Sequence, residues 1–216
     1  TNQYSMTLKN IPKPKNYSKL VLDAISYIIP SNLGYGYHYK KYTERIFFPI
    51  IRDKIRNLEI TESEEIIIYL PTYSPLKLIE LIKKIPQKKN WTIFSPDAKL
   101  RQNISGVNIE PLSEDLFLKK FASCYGIVCA GGFATTSEAI FLGKPMIVVP
   151  VEAQIEQQFN AAALKKEGVT VIDRFSNENL DTISNWIDSP SILKIEYKDE
   201  SKEIVDILIN DYSNLK

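Results

Sequence analysis

"VCAGGFATTSEAIFLGKPMIVVP", residues 128–150, is the stretch on which the fold turns. An apolar run reaches Ala130, Gly131 and Gly132 follow, and a helical pattern starts at once. A second apolar run ends at Pro150. Glycine lets a backbone adopt positive φ and approach a ligand closely. The first amides of a helix lack intrahelical partners, and the helix dipole adds partial positive charge there. A phosphate is the natural occupant of such a turn. Thr135 and Thr136 add hydroxyl donors, whereas the turn carries no lysine or arginine. The spacing matches neither the P-loop nor the dinucleotide fingerprint. On the glycines alone, a tight strand-to-helix turn without a ligand fits equally well. Glu138 favours the ligand. Its carboxylate can accept two hydrogen bonds from neighbouring hydroxyls, such as a ribose 2′,3′-diol; the competing reading is a surface acid that stabilises the helix start.

Working outward, strands are expected at 65–70, 91–95, 107–111, 126–130, 146–150 and 169–173, from β-branched and apolar runs. Helices are expected at 74–85, 113–123, 134–142, 154–167, 176–188 and 199–213, with Ser74 and Ser113 as N-caps and Pro75 at a first helical position. Alternation of this kind predicts an α/β fold: a Rossmann-like parallel sheet with helices on both faces. Ligands of such sheets bind beyond the carboxyl ends of the strands. The loops to search are therefore 71–74, 95–97, 110–113, 130–134 and 150–156. The segment "PVEAQIEQQFNAA" (150–162) brings two acids and three glutamines to a helix start. Such side chains suit a polyhydroxylated sugar, although a merely polar helix N-terminus reads the same way.

With 44% hydrophobic and 25% charged residues, the composition is that of a globular protein. A net charge of +1 gives no reason to expect nucleic acid as a partner. The two cysteines, Cys124 and Cys129, lie in an apolar segment without metal-ligand spacing and are expected reduced and buried. No metal or cofactor is expected. No run long enough for a transmembrane helix or signal peptide is seen, so a cytoplasmic location is expected. The basic run "KKIPQKK" (83–89) is either a solvated loop or a peripheral contact with anionic lipid. His38, the single histidine, sits in the aromatic stretch "YGYHYKKY", read as a loop in which a structural role outweighs a functional one.

Taken together, residues 130–161 resemble the donor-binding half of a GT-B glycosyltransferase. The pattern is Gly132, then Thr135 with Glu138-Ala139, Gly143-Lys144-Pro145, Pro150, and Glu156-Gln157-Gln158-Phe159-Asn160-Ala161. It is similar to UDP-glycosyltransferases and to the N-acetylglucosaminyl transferase of peptidoglycan synthesis. The resemblance implies that Glu138 binds the ribose of a nucleotide-sugar donor and that Gly131–Thr136, Phe133 included, hold its diphosphate. It further implies that Glu156 and Gln157 contact the sugar, that Thr72 and Ser74 reach the phosphates, and that Ile109, Pro111 and Leu112 carry uracil through backbone groups and apolar contact. Many relatives have a histidine where Ala130 stands, so the amides and threonines must do more of the phosphate binding. The catalytic residues are expected in an acceptor domain. Residues 1–58 are read as a remnant of that domain and its linker, and 59–216 as the donor domain. The chain is thus expected to be a fragment or a donor subunit, inactive in transfer alone. A UDP-sugar 2-epimerase half and a non-catalytic sugar-nucleotide module are the competing functions. The closing helix, with Ile204, Ile207 and Leu208 on one face, is expected to pack against residues 1–45, away from the glycine loop, and to favour a homodimer.

Overall fold

A computed structural model gives the architecture and describes residues 2–15, 17–20, 22–23 and 34–214. In chain order the elements are α1 (Asn2–Met6), β1 (Gly36–Tyr37), β2 (Ile46–Phe47), α2 (Asp53–Arg56), β3 (Glu65–Tyr69) and α3 (Pro75–Ile82). Then come β4 (Asn90–Ser95), β5 (Gln102–Ile104), β6 (Val107–Pro111), α4 (Glu114–Ser123), β7 (Gly126–Cys129) and α5 (Phe133–Leu142). The chain closes with β8 (Met146–Val148), α6 (Ile155–Lys166), β9 (Thr170–Val171), α7 (Leu180–Asp188) and α8 (Ser201–Ser213).

Strands β3 to β9 form one seven-stranded sheet in the order β5-β6-β4-β3-β7-β8-β9. Every pairing in it is parallel except β5 with β6. Side chains alternate across a strand, so unbroken apolar runs feed two cores. Ile67, Ile127, Cys129, Met146 and Val148 pack with Phe121, Ala139, Ile140 and Leu164 under α4, α5 and α6. Ile66, Ile68, Val128 and Ile147 pack with Leu78, Ile82, Ile183 and Trp186 under α3 and α7. Both faces are covered, as the periodicity predicts. The chain leaves β3 for β4 and β6 on one side, then returns to β7 on the other. That reversal between β3 and β7 opens a crevice at their carboxyl ends.

The antiparallel edge was not anticipated. Ser105 (φ 54°) and Gly106 (φ 84°) form a two-residue turn that folds β5 back on β6. Positive φ at both positions is the signature of a type I′ hairpin turn. The three residues of β5 are too few to show a period of their own.

Ahead of the sheet, β1 and β2 pair in parallel with each other, and the main sheet does not include them. The stretch "TERIFFPIIRDKIRNL" (43–58), whose sequence allows a helix broken or started by Pro49, holds β2 before that proline and only the short α2 after it. Met6, Ile11 and Leu22 pack on Phe159 of α6. In "KLVLDAISYII" (19–29), residues 21 and 24–29 lie outside the described residues. The expected contact with the closing helix is present but polar: Tyr35 Oη donates to Asp211, and Lys41 Nζ meets Glu200 Oε1 at 2.6 Å. Of the three apolar positions expected on one face of α8, Ile204 is buried, while Ile207 and Leu208 stay exposed.

Both cysteines are free and buried. Burial raises each thiol to about 12. At pH 8 the reactive thiolate is then on the order of one part in ten thousand of each. A disulfide reagent should label neither cysteine in the native chain and both after denaturation; rapid native labelling would contradict the packing.

Candidate donor-binding site

The turn after β7 is held by the helix that follows β8. Gln157 Oε1 accepts from the amides of Gly131 (3.2 Å) and Val151 (3.0 Å). Asn160 Nδ2 donates to the Gly131 carbonyl at 2.9 Å. A Cβ at Gly131 would lie 2.8 Å from the Gln157 carbonyl oxygen, so glycine is required there by close approach. The expected positive φ is not used: Gly132, the N-cap of α5, has φ −66° and ψ 133°. Around Gly132 a Cβ would meet nothing within 4 Å. The first intrahelical bond of α5 runs from Thr136 N–H to Gly132 at 3.2 Å, so the amides of Phe133, Ala134 and Thr135 precede the hydrogen-bonded helix.

Beside this helix start lies a cavity of about 720 Å³. Its base and sides come from Tyr69 at the end of β3, Phe94 in β4, Leu112 and Ser113 after β6, and Phe117 in α4. Phe94 and Phe117 meet edge to face, with centroids 5.2 Å apart. The first turns of α5 complete it with Phe133, Ala134, Thr135, Ser137 and Glu138. The remaining wall is Tyr37, Pro49, Ile50 and Arg52, from the segment assigned by sequence to a remnant of another domain.

Arg52 is the residue that sequence reading missed. Its Nε reaches Glu138 Oε1 at 2.8 Å and its Nη2 reaches Oε2 at 3.3 Å, a two-pronged contact. Its Nη1 also meets Glu114 Oε1 at 2.7 Å. The Glu138 hydrogen bond is the main reason the guanidinium is held even more firmly protonated than usual. Glu138 is only 5% exposed, so the surface-acid reading is excluded. A carboxylate at that depth requires a charged or strongly donating partner. Arg52 supplies one, 86 positions away in the chain. The glycine turn lacks a cation of its own, and Arg52 brings one to the cavity.

The other expected residues separate into groups. Leu112, Phe133, Thr135 and Glu138 share the cavity. Thr136 is fully buried; its hydroxyl pairs with Tyr39 Oη (2.7 Å) and bonds back to the Gly132 carbonyl (2.8 Å), so it is no phosphate donor. The Tyr39 ring also lies tilted by 40° beside Phe133, with centroids 5.0 Å apart, which places this part of the N-terminal segment against the glycine turn rather than away from it. Ile109 packs in the α3-side core and, unlike Phe94, does not line the cavity, so the contact expected there is left to its backbone. Pro111, the last residue of β6, is half-buried. Thr72 and Ser74 line a separate cleft of about 480 Å³, shared with Val149–Glu152 and Asp173–Glu178. Glu156 stands in the first turn of α6, and Gln157 is engaged in clamping the glycine turn.

His38 is structural. It is 4% exposed, edge-on to Tyr42, and its Nδ1 accepts from the Lys40 amide at 3.4 Å. Burial lowers its pKa to about 4. The native imidazole is therefore neutral, while an unfolded one titrates near 6.5. Its contribution to stability is complete above the unfolded value and is lost as pH falls from about 6.5 toward 4, where the unfolded chain alone takes up the proton. Denaturation at a series of pH values should show this loss, and His38→Gln should remove that part of the slope; identical profiles would contradict it.

The model of Glycosyl transferase family 1 matches residues 18–189. Over 153 residues the chain is 28% identical to the UDP-N-acetylglucosamine--N-acetylmuramyl-(pentapeptide) pyrophosphoryl-undecaprenol N-acetylglucosamine transferase of Finegoldia magna. The match covers 60% of this chain and 41% of that protein, so the chain spans less than half the length of this relative. Among solved structures it is similar to the spinosyn forosaminyltransferase SpnP, at 12% identity and a TM-score of 0.47 over 95% of this chain and 66% of that one. It is also similar to the glycosyltransferase SnogD from Streptomyces nogalater, at 14% identity and a TM-score of 0.42 over 85% and 54%. With most of its length matched by the family model, the chain belongs to Glycosyl transferase family 1.

Proposed function

We propose that this chain is the donor-binding part of a GT-B glycosyltransferase and holds a UDP-sugar in the cavity beside α5. The observation that carries the reading is the buried Glu138 carboxylate, paired with Arg52, within an apolar cavity at a helix N-terminus. Each part suits one portion of a nucleoside diphosphate. The leading amides of α5 and the Arg52 guanidinium suit the diphosphate. Glu138 suits the ribose diol. Phe94, Leu112 and Phe117 offer apolar contact to the base. The Finegoldia relative is named for a UDP-N-acetylglucosamine donor, which supports a UDP-sugar here.

In sugar transfer the departing diphosphate gains negative charge. A fixed helix N-terminus and a guanidinium stabilise that charge more in the transition state than in the bound donor. The acceptor must be held in line by a domain or subunit beyond these elements, since orientation supplies much of the rate. The exposed Ile207 and Leu208 of α8 are proposed to meet that partner or a second copy. In the basic run, Lys84 bonds Asn177 and Lys89 pairs with Glu64, so those two lysines are engaged within the chain. Among the described residues no helix is long and apolar enough to cross a membrane. Calorimetric titration with UDP tests the donor reading: saturable one-to-one binding supports it, and no saturable heat up to about 10 mM UDP, well beyond the ~1 mM of weak binding, sinks it.

A further inference from the structure

Ser137 is 1% exposed, lines the cavity, and its Oγ is buried without a hydrogen-bond partner. Its neighbour Thr136 satisfies its own hydroxyl through Tyr39 and the preceding turn. Ser137 has neither arrangement. A buried hydroxyl left unpaired is costly and is rarely kept without a reason.

Its position suggests the reason. Ala134, Ser137 and Glu138 fall on one face of α5, at the i, i+3, i+4 spacing of neighbours on a helix surface. From the leading amides to Glu138 the helix rises about 6 Å. That is about the reach from a 5′-phosphate across a ribose to its diol. A nucleotide anchored at both points passes over Ser137. We propose that Ser137 is a specificity-determining residue: its hydroxyl pairs with the ribose 2′-hydroxyl beside Glu138, so the site selects a ribonucleoside diphosphate over its 2′-deoxy form. This rests on the donor-site reading above.

The test is calorimetry with UDP and with 2′-deoxyuridine diphosphate on the wild-type chain and on Ser137→Ala. The wild type should prefer UDP by about tenfold or more, because both Glu138 and Ser137 lose a partner in the deoxy form. Ser137→Ala should lose about three- to tenfold in UDP affinity and nothing for the deoxy ligand, so the ratio shrinks. Its melting temperature should hold or rise, since an orphan hydroxyl is removed. Equal affinity of the wild type for both ligands, or a ratio unchanged in the variant, would overturn the assignment while leaving UDP binding intact. Failure of the wild type to bind UDP would remove the donor site and this inference together.

Discussion

Glu138→Ala is expected to weaken UDP binding by about 1–3 kcal/mol, roughly five- to 150-fold, while the chain stays folded. The loss reflects charge-assisted hydrogen bonds to the ribose. Folding should survive because the orphaned partner, Arg52, has a side chain 49% exposed and also pairs with Glu114. A half-exposed guanidinium rehydrates on losing one partner, and ion pairs of that exposure contribute little to stability. Glu138→Gln should fall between the two, since the amide keeps one acceptor and loses the charge. Equal UDP affinities in wild type and Glu138→Ala would remove Glu138 from the site.

A larger effect on the fold is expected at Phe94. Its ring is 1% exposed, belongs to the main core on the α4–α6 side, and also lines the cavity. Phe94→Ala should lower unfolding stability by about 3–5 kcal/mol, the usual cost of deleting a buried aromatic ring. Phe94→Leu keeps most of the apolar volume and should cost clearly less, about 1 kcal/mol or somewhat more. Denaturant titration of the three proteins measures both. A loss under about 1 kcal/mol for the alanine variant would mean that the ring is not packed as described. Because one side chain serves both core and cavity, Phe94→Leu should still bind UDP, whereas weakened binding in Phe94→Ala would combine lost contact with lost rigidity.

The βαβ order was legible because it is written in local periodicity. Ile66, Ile67 and Ile68 alternate between two cores, and each helix carries apolar positions at helical spacing. The helix starts at Ser74 and Ser113 were legible for a similar reason, since caps are local; Ser113 accepts from the Leu116 amide at 3.5 Å. The site was less legible where its parts are distant in sequence. Arg52 sits in "FFPIIRDK" with no local sign of its partner, 86 residues on. An arginine among apolar residues ahead of a short helix was the available signal. Thr136 reads as a donor in sequence, yet Tyr39, 97 residues earlier, holds its hydroxyl. Residues 34–58 look like a linker because two-residue strands carry no period. In the structure Tyr37, Pro49, Ile50 and Arg52 wall the cavity and Tyr39 braces α5, so elements on both sides of residue 58 line one cavity.

Hydrogen exchange in the presence and absence of UDP tests the central claim most directly, because it reports where the nucleotide sits. Slowed exchange at Phe133–Glu138 and Leu112–Phe117, with the second cleft at Thr72–Ser74 and Asp173–Asn177 unchanged, is the predicted footprint. Protection confined to that second cleft, or no protection at saturating UDP, would contradict it.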